Sequence, residues 1–291
     1  MIAGGPESGE YQQVATVIAS ALSSAGVPSQ AVNTDGSVEN VGLLVSRLAG
    51  AALLQNNVAM RAQEGLAPFA CTAAPELRAL ASLFPEQVHV VLRRDAGVAS
   101  LEDLRGKRVD VGLPNSGARL DAEALLAEAG LTLADLGEAS ARGLAEGLDL
   151  LRRNELDAVI ATISAPAHRY QEMAAGGDFR LLSLSETAQA RLVEADAGFV
   201  AAVLPAATYP SQTEPVRTVA VAALLAARAD LPDAEATMLL REVFEDIDFF
   251  AAGSAAGSQI SRATAGTGVG IPWHPAAKQF FAQTSQGKGV P

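Results

Sequence analysis

Short apolar runs alternate with segments of helical spacing along the first part of the chain. The pattern predicts strands at Met1–Ala3, Ser29–Asn33 and Ala51–Leu54. Between them, Tyr11–Ser24 and Val38–Leu48 carry apolar residues at the intervals of an amphipathic helix. This order of strands and helices predicts a parallel sheet that is covered by helices on both faces.

The same alternation recurs after a strongly apolar segment at Val88–Leu92, which predicts a strand. Further strands are predicted at Arg108–Gly112 and Ala158–Ala161, with helices at Ala118–Ala129 and Leu144–Arg153. The sequence therefore predicts a second α/β unit.

The last part of the chain returns to long apolar elements. A strand is predicted at Val216–Leu225 and a helix at Ala234–Ala251, and the tail from Gly253 is rich in small residues and expected on the surface. The economical arrangement is a lobe 1 of residues 1–87 and 204–291, with a lobe 2 of residues 88–203 inserted into it. Two crossings would form a hinge, and a ligand cleft is expected between the lobes.

The composition and charge of the chain indicate which classes of binding partner suit it poorly. The chain has 291 residues, of which 49% are hydrophobic, so it can bury a sizeable core. Its formal net charge of −12 disfavours binding to nucleic acid and to anionic lipid, and we expect neither as a partner. One cysteine, Cys71, excludes an internal disulfide, and the three histidines are far apart. We expect no metal and no cofactor.

Four polar or glycine-rich loops each stand immediately before a predicted helix. They are Gly4–Gly9, Thr34–Ser37, Gln55–Asn57 and Leu113–Gly117. Free N–H groups and the helix dipole make such loops acceptors of anions, and in α/β proteins they lie where ligands bind. The alternative for any one loop is an ordinary turn or helix cap.

Two side chains near these loops suggest a role in binding. Ser116 can provide a hydroxyl to an oxyanion, and Arg119 has a guanidinium group that suits a carboxylate. Arg119 could equally be a surface residue of the first helical turn. Tyr11 could be an aromatic wall of the cleft or a core residue.

Nothing in the sequence indicates catalysis. The first loop lacks the G-x-G-x-x-G pattern and the Lys-Ser/Thr of a phosphate-binding loop. No Ser–His–Asp set and no pair of carboxylates can be recognised, and Cys71 is the one candidate nucleophile. We therefore expect a protein that is not an enzyme.

Five segments form an ordered series of motifs over nearly the whole chain: Ala3–Tyr11, Asn33–Asn40, Leu53–Ala59, Leu77–Glu86 and Leu101–Gly117. The series resembles the motifs of the TAXI family, the solute receptors of TRAP transporters. The resemblance implies a type II periplasmic-binding-protein fold with two α/β lobes. It also implies export after removal of a signal peptide, a periplasmic location, and delivery of a small organic anion to the TRAP membrane subunit. We expect a monomer, because such a protein must dock and release.

The resemblance also implies which residues line the ligand cleft: Gly9, Tyr11, Ser37, Asn40, Gln55, Asn57, Ser116 and Gly117. The chain departs from the family pattern at four places. Gln12 replaces an aromatic residue, Asn57 replaces an acidic one, and Asn115 replaces a glycine. Ala118 replaces the usual threonine and is followed by Arg119. We therefore expect Asn115 or Arg119 to recognise the oxyanion. We also expect a carboxylate ligand without an essential amine, such as a glutamate-like acid, a 2-oxo acid or a dicarboxylate.

Two outputs fit this interpretation. A solute-binding protein would hand its ligand to a transporter, whereas a receptor of the same fold would report ligand occupancy to a membrane sensor kinase. The sequence does not separate them.

Overall fold

The computed structural model describes residues 1–7, 9–245 and 256–286. In chain order, the elements of these residues are β1 (Ile2–Ala3), α1 (Glu10–Ser24), β2 (Ala31–Val32), α2 (Ser37–Val45), β3 (Ala51–Gln55), α3 (Asn56–Glu64), β4 (Leu77–Arg93), β5 (Arg108–Asp110), α4 (Gly117–Glu128), β6 (Glu138–Ser140), α5 (Leu144–Arg152), β7 (Ala158–Ile163), α6 (His168–Ala174), β8 (Phe179–Leu181), α7 (Glu186–Ala195), β9 (Val200–Leu204), β10 (Val216–Arg228), α8 (Asp233–Phe244) and α9 (Pro275–Gln286). None of the helices in the described part of the chain combines the length and apolar character needed to span a membrane.

The chain divides into two compact units. Unit 1 comprises Met1–Phe84 and Ala222–Pro291, and unit 2 comprises Pro85–Val221. Strand β4 carries the chain out of unit 1, and β10 brings it back. The return falls at Ala222 rather than at residue 204, because β9 pairs with the first half of β10 and both belong to unit 2.

The sheet of unit 1 has β1 at its centre. Strand β1 pairs in parallel with β2 on one side and with β3 on the other, and β3 pairs antiparallel with the second half of β10. Because β1, β2 and β3 are parallel, their carboxyl ends lie at one edge of the sheet. The polar loops predicted before the first three helices therefore begin at one edge of unit 1.

The core of unit 1 includes residues of the described segment 256–286. Val14 and Ile18 of α1 are completely buried, in a cluster that also contains Leu240 of α8. Ile260 and Phe280 belong to the same cluster, so the expectation of a surface tail was wrong. Small residues separate these apolar side chains and hide the helical period of α9. The predicted helix Ala234–Ala251 is observed to Phe244, and residues 246–251 lie outside the described residues.

The sheet of unit 2 has helices on both faces. Strand β7 pairs antiparallel with β4 and parallel with β5, and β5 pairs in parallel with β6. Val90 and Leu92 face a core that includes α4 and α7, whereas Val91 faces a second core that includes α5 and α6. This two-faced burial explains the long apolar run in β4, of which the sequence predicted the strand Val88–Leu92.

Candidate functional site

Buried hydrogen bonds connect the three strand-end loops of unit 1. The Asn40 side chain is fully buried, and its Nδ2 donates to Gly4 O at 2.6 Å and to Leu53 O at 2.8 Å. Thr34 Oγ1 also donates to Gly4 O, at 3.2 Å. One amide of α2 thus holds the end of β1 beside the end of β3, so these loops are positioned before any ligand arrives.

Ser37 provides a second connection within unit 1. Its Oγ accepts a hydrogen bond from the Gln55 backbone N at 3.0 Å, and the side chain is 2% exposed. Gly36 caps α2 in its place, with a φ of 131° that favours glycine. Ser37 is therefore the first residue of the helix rather than its cap, and its hydroxyl is used by β3.

The Gln55-Asn56-Asn57 segment begins α3 with three buried amide side chains. Asn56 has a structural role that the sequence did not reveal, since its Nδ2 donates to Gly268 O at 2.9 Å and its Oδ1 accepts from Ala222 N at 3.0 Å. Asn57 Oδ1 accepts from Val58 N at 2.8 Å. Gln55 is the N-cap residue of α3, but its side chain makes no capping hydrogen bond.

Three buried side-chain oxygens in the described residues have no hydrogen-bond partner. They are Gln12 Oε1, Asn40 Oδ1 and Gln55 Oε1. All three belong to unit 1, at or beside the loops that follow β1, β2 and β3. Each is an acceptor, so the strand-end edge of unit 1 has unused capacity to accept hydrogen bonds.

Gly9 and Tyr11 occupy the first loop and the start of α1. Gly9 is the N-cap residue of α1, and its N donates to Pro6 O at 2.7 Å. Tyr11 is 9% exposed and packs edge-on against Phe84, with 6.3 Å between ring centroids. Its ring therefore belongs to the core of unit 1. Ser8, within the predicted loop Gly4–Gly9, lies outside the described residues.

The loop before α4 forms the corresponding feature of unit 2. Ser116 is the N-cap residue, and its Oγ accepts from Arg119 N at 3.1 Å while donating to Leu113 O at 2.7 Å. Gly117 is the first helical residue and is buried. Gly112 approaches this turn closely at a φ of 81°, where a Cβ would lie 3.3 Å from Arg119 N. The helix N-terminus is thus formed as the sequence predicted.

The other two expected ligand residues of this loop differ in exposure. Asn115 is exposed. The Arg119 side chain is 18% exposed, and its Nε donates to Glu123 Oε1 at 2.6 Å in an ion pair one turn along α4. The guanidinium group therefore already has a carboxylate partner within its own helix.

Unit 2 also contains buried carboxylates. Asp110 is fully buried and accepts from Arg142 N at 2.7 Å and from Gly112 N at 3.1 Å. Burial raises its pKa above the ordinary value, against these hydrogen bonds. Asp121 of α4 is fully buried too, and its Oδ2 accepts from Thr162 Oγ1 at 2.7 Å. The sequence does contain a signal for this role of Asp110, which stands at the end of a strand and two residues before Gly112. An Asp in such a position commonly accepts a hydrogen bond from a backbone N–H of the following turn.

Six of the ten expected ligand residues are brought together within their units. Ser37, Asn40 and Gln55 form one connected set in unit 1, and Ser116, Gly117 and Arg119 form one turn in unit 2. No group of three or more potential metal ligands occurs in the part of the chain that the structure describes.

Solved structures of low sequence identity share this fold. A binding protein component of an ABC phosphonate transporter from Pseudomonas aeruginosa is 11% identical, with a TM-score of 0.57 over 90% of this chain and 79% of that chain. PhnD1 from Prochlorococcus marinus, in complex with methylphosphonate, is 13% identical, with a TM-score of 0.56 over 87% and 90%. A Xanthomonas citri protein bound to ATP is 12% identical, with a TM-score of 0.51 over 98% and 95%.

These likenesses confirm the expected fold class, the mixed α/β fold with two lobes of the periplasmic solute-binding proteins. The sequence model of one family matches residues 2–284, which is nearly the entire chain. The chain belongs to the NMT1-like family.

Proposed function

We propose that this protein is an extracytoplasmic solute-binding protein that captures a small organic anion and presents it to a membrane transporter. The observation that supports this most is the buried network in which Asn40 and Ser37 hold the ends of β1 and β3 together. Such a network fixes loops rather than a core, which is what a preorganised binding surface requires.

We propose ligand residues in each unit. Those of unit 1 are Gly9, Tyr11, Ser37, Asn40, Gln55 and Asn57, and those of unit 2 are Asn115, Ser116, Gly117 and Arg119. Among them, the Asn40 amide is used by Gly4 O and Leu53 O, and the Tyr11 ring packs against Phe84, so we assign these two residues to shaping the loops rather than to direct contact.

The N-terminus of α4 is the proposed receptor of the anionic group. The first-turn N–H groups and the helix dipole favour negative charge, and the Ser116 N-cap fixes the turn. We propose a carboxylate as that group. A phosphonate is the second candidate, since two proteins of similar fold are described as a phosphonate transporter component and as a methylphosphonate complex.

The transporter partner follows from the motif series. We propose the membrane subunit of a TRAP transporter, with an ABC transporter as the alternative that the neighbour from Pseudomonas aeruginosa suggests. Co-purification of the protein with each type of membrane subunit, in detergent and with ligand present, separates these partners. Binding to neither, together with binding to a sensor kinase, would favour the signalling output.

Solute binding itself is tested by native mass spectrometry of the purified protein, followed by a thermal-shift panel of carboxylates, 2-oxo acids, amino acids and phosphonates. A ligand at 100 times its Kd stabilises the folded protein by about 2.7 kcal/mol, a shift that is easily measured. We expect one chemical class to raise the melting temperature. No co-purified mass and no shift with any compound would contradict the proposal.

Arg119→Ala tests the contribution of the arginine. Because Arg119 is paired with Glu123, the account expects a modest loss of affinity, about threefold to tenfold, on the scale of a charge-assisted hydrogen bond partly offset by that pairing. Unchanged affinity for the ligand would remove Arg119 from the site.

A further inference from the structure

Buried side-chain oxygens of unit 1 that have no hydrogen-bond partner indicate which chemical group a ligand would supply to its binding surface. Gln55 is 3% exposed and Asn40 is fully buried, and neither Gln55 Oε1 nor Asn40 Oδ1 has a partner in the described residues. A buried amide oxygen without a hydrogen bond destabilises the folded state. A ligand that supplies a donor recovers this free energy on binding.

The hydrogen bonds of Asn40 fix which end of its amide is unused. Its Nδ2 donates to two carbonyl oxygens, Gly4 O and Leu53 O, so the opposite end must be Oδ1, an acceptor. Gln55 stands at the end of β3, two residues beyond Leu53, and its side chain is not used to cap α3. Asn40 is thus held by two hydrogen bonds, whereas no capping hydrogen bond holds the Gln55 side chain.

The charges of the surrounding loops favour the same kind of group. The strand-end segments 3–12, 33–40 and 53–58 contain no lysine or arginine, whereas they contain Glu7, Glu10, Asp35 and Glu39. The charged side chains of these segments are therefore all acidic. They attract a cationic or N–H donor group.

We propose that the solute presents a hydrogen-bond donor, an amine or another N–H group, to Gln55 of unit 1, in addition to its anionic group. This inference rests on the proposed function and names the substrate class more closely. It reverses the expectation of a ligand without an essential amine, which was based on Asn57 standing where an acidic residue is usual. Gln55 supplies the acceptor in this chain.

The test compares compounds that differ by one amino group. Isothermal titration is performed with three pairs: 2-aminoethylphosphonate and ethylphosphonate, taurine and ethanesulfonate, and L-glutamate and glutarate. For the pair that binds, we expect the amino compound to bind at least about tenfold more tightly to the wild-type protein, the magnitude of one hydrogen bond. We expect this ratio to fall close to one in Gln55→Leu and to be kept or raised in Gln55→Glu, whose carboxylate can only accept.

The outcomes separate the inference from the proposed function. Equal affinity for both members of a pair, or loss of binding in Gln55→Glu with an unchanged ratio in Gln55→Leu, overturns the inference while solute binding stands. No binding by any of the six compounds, with no co-purified small molecule, contradicts solute binding and the inference with it.

Two controls accompany these variants, one for the affinity ratio and one for folding. Gln13→Leu makes the same replacement at an exposed position of α1, and we expect its affinity ratio to equal that of the wild type. Gln55→Leu removes an unpaired buried oxygen but keeps the hydrogen bond from the backbone N to Ser37 Oγ. Its ligand-free melting temperature should therefore equal or exceed that of the wild type, and a clear decrease would show that Gln55 Oε1 has a partner.

Discussion

His89 Nε2 lies 2.7 Å from Tyr209 Oη inside unit 2. Ala167 N donates to the same Oη at 3.0 Å. His89 Nδ1 lies 2.8 Å from Gln87 O, and because a carbonyl oxygen can only accept, Nδ1 carries the proton and donates. Nε2 of the neutral ring therefore accepts from the tyrosine O–H. The histidine is 3% exposed, and desolvation lowers its pKa from 6.5 to about 4. It is a neutral residue that connects the 205–212 segment to β4.

The unfolding free energy is expected to decrease as the pH falls from about 6.5 to about 4. The unfolded chain binds a proton at His89 over this interval, whereas the folded protein keeps it neutral until pH 4. The contribution is complete above pH 6.5 and its loss is on the order of 3 kcal/mol. Urea unfolding at a series of pH values, in the wild type and His89→Gln, measures the difference.

His168→Gln is the control for this prediction, since His168 is exposed on α6. It should keep the pH dependence of the wild type. If His89→Gln has the same pH dependence as the wild type between pH 6.5 and pH 4, His89 is not the group responsible.

Alanine substitutions at the two serine N-caps of unit 2 distinguish an effect on stability from an effect on ligand binding. Ser116 and Ser185 accept backbone N–H groups at 3.1 Å and 3.0 Å, respectively, at the starts of α4 and α7. Replacement of either by alanine should lower the unfolding free energy by about 1 kcal/mol. Only Ser116→Ala should also weaken the ligand, which titration calorimetry measures. A similar loss of affinity in Ser185→Ala would argue against a site at α4.

Asn40→Ala should destabilise unit 1 by about 2–4 kcal/mol. The change leaves Leu53 O without its side-chain donor and creates a cavity at a fully buried position. Asn40→Asp should be at least as destabilising, because an acceptor would then face two carbonyl oxygens. Chemical denaturation measures both, with the exposed Asn33→Ala as the control, and a change below 0.5 kcal/mol in Asn40→Ala would show that the network does not hold the loops.

Two glycines of unit 1 should respond to alanine in opposite directions. A Cβ at Gly4 would collide with Gln12 Oε1 and lie 2.9 Å from Gln12 Cα, so Gly4→Ala must displace α1 from β1. A Cβ at Gly42 meets nothing within 4 Å, and Gly42 is inside α2, so Gly42→Ala should stabilise by about 0.5–1 kcal/mol. Thermal unfolding of both variants checks the pair, and equal effects would contradict the packing described here.

The hydrophobic pattern predicted most of the fold because both units alternate short buried strands with amphipathic helices. It identified α1, β3, α3 and α4 to within about two residues. It missed β6, whose three residues are mostly exposed, and α7, in which Leu192 is the one buried residue. Elements that bury so little leave no period to recognise.

The site was less predictable, because its important contacts join segments distant in sequence. The loops and the Ser116 cap could be predicted from the residues next to them in the sequence. The sequence could not predict two other contacts, because they depend on how the strands are ordered in the sheet. In one, Asn40 joins Gly4 to Leu53, and in the other, Asn56 joins Ala222 to Gly268. The burial of Asp110 likewise follows from its place in β5 and not from its neighbours in sequence.

The central claim is that a solute binds to the strand-end loops, and hydrogen–deuterium exchange tests it most directly. The protein is compared with and without the panel compound that raises its melting temperature most. We expect the compound to slow exchange in segments 4–12, 34–40 and 53–58 of unit 1 and in segment 112–119 of unit 2. Protection that is confined to other segments, or absent at saturating compound, would contradict the account.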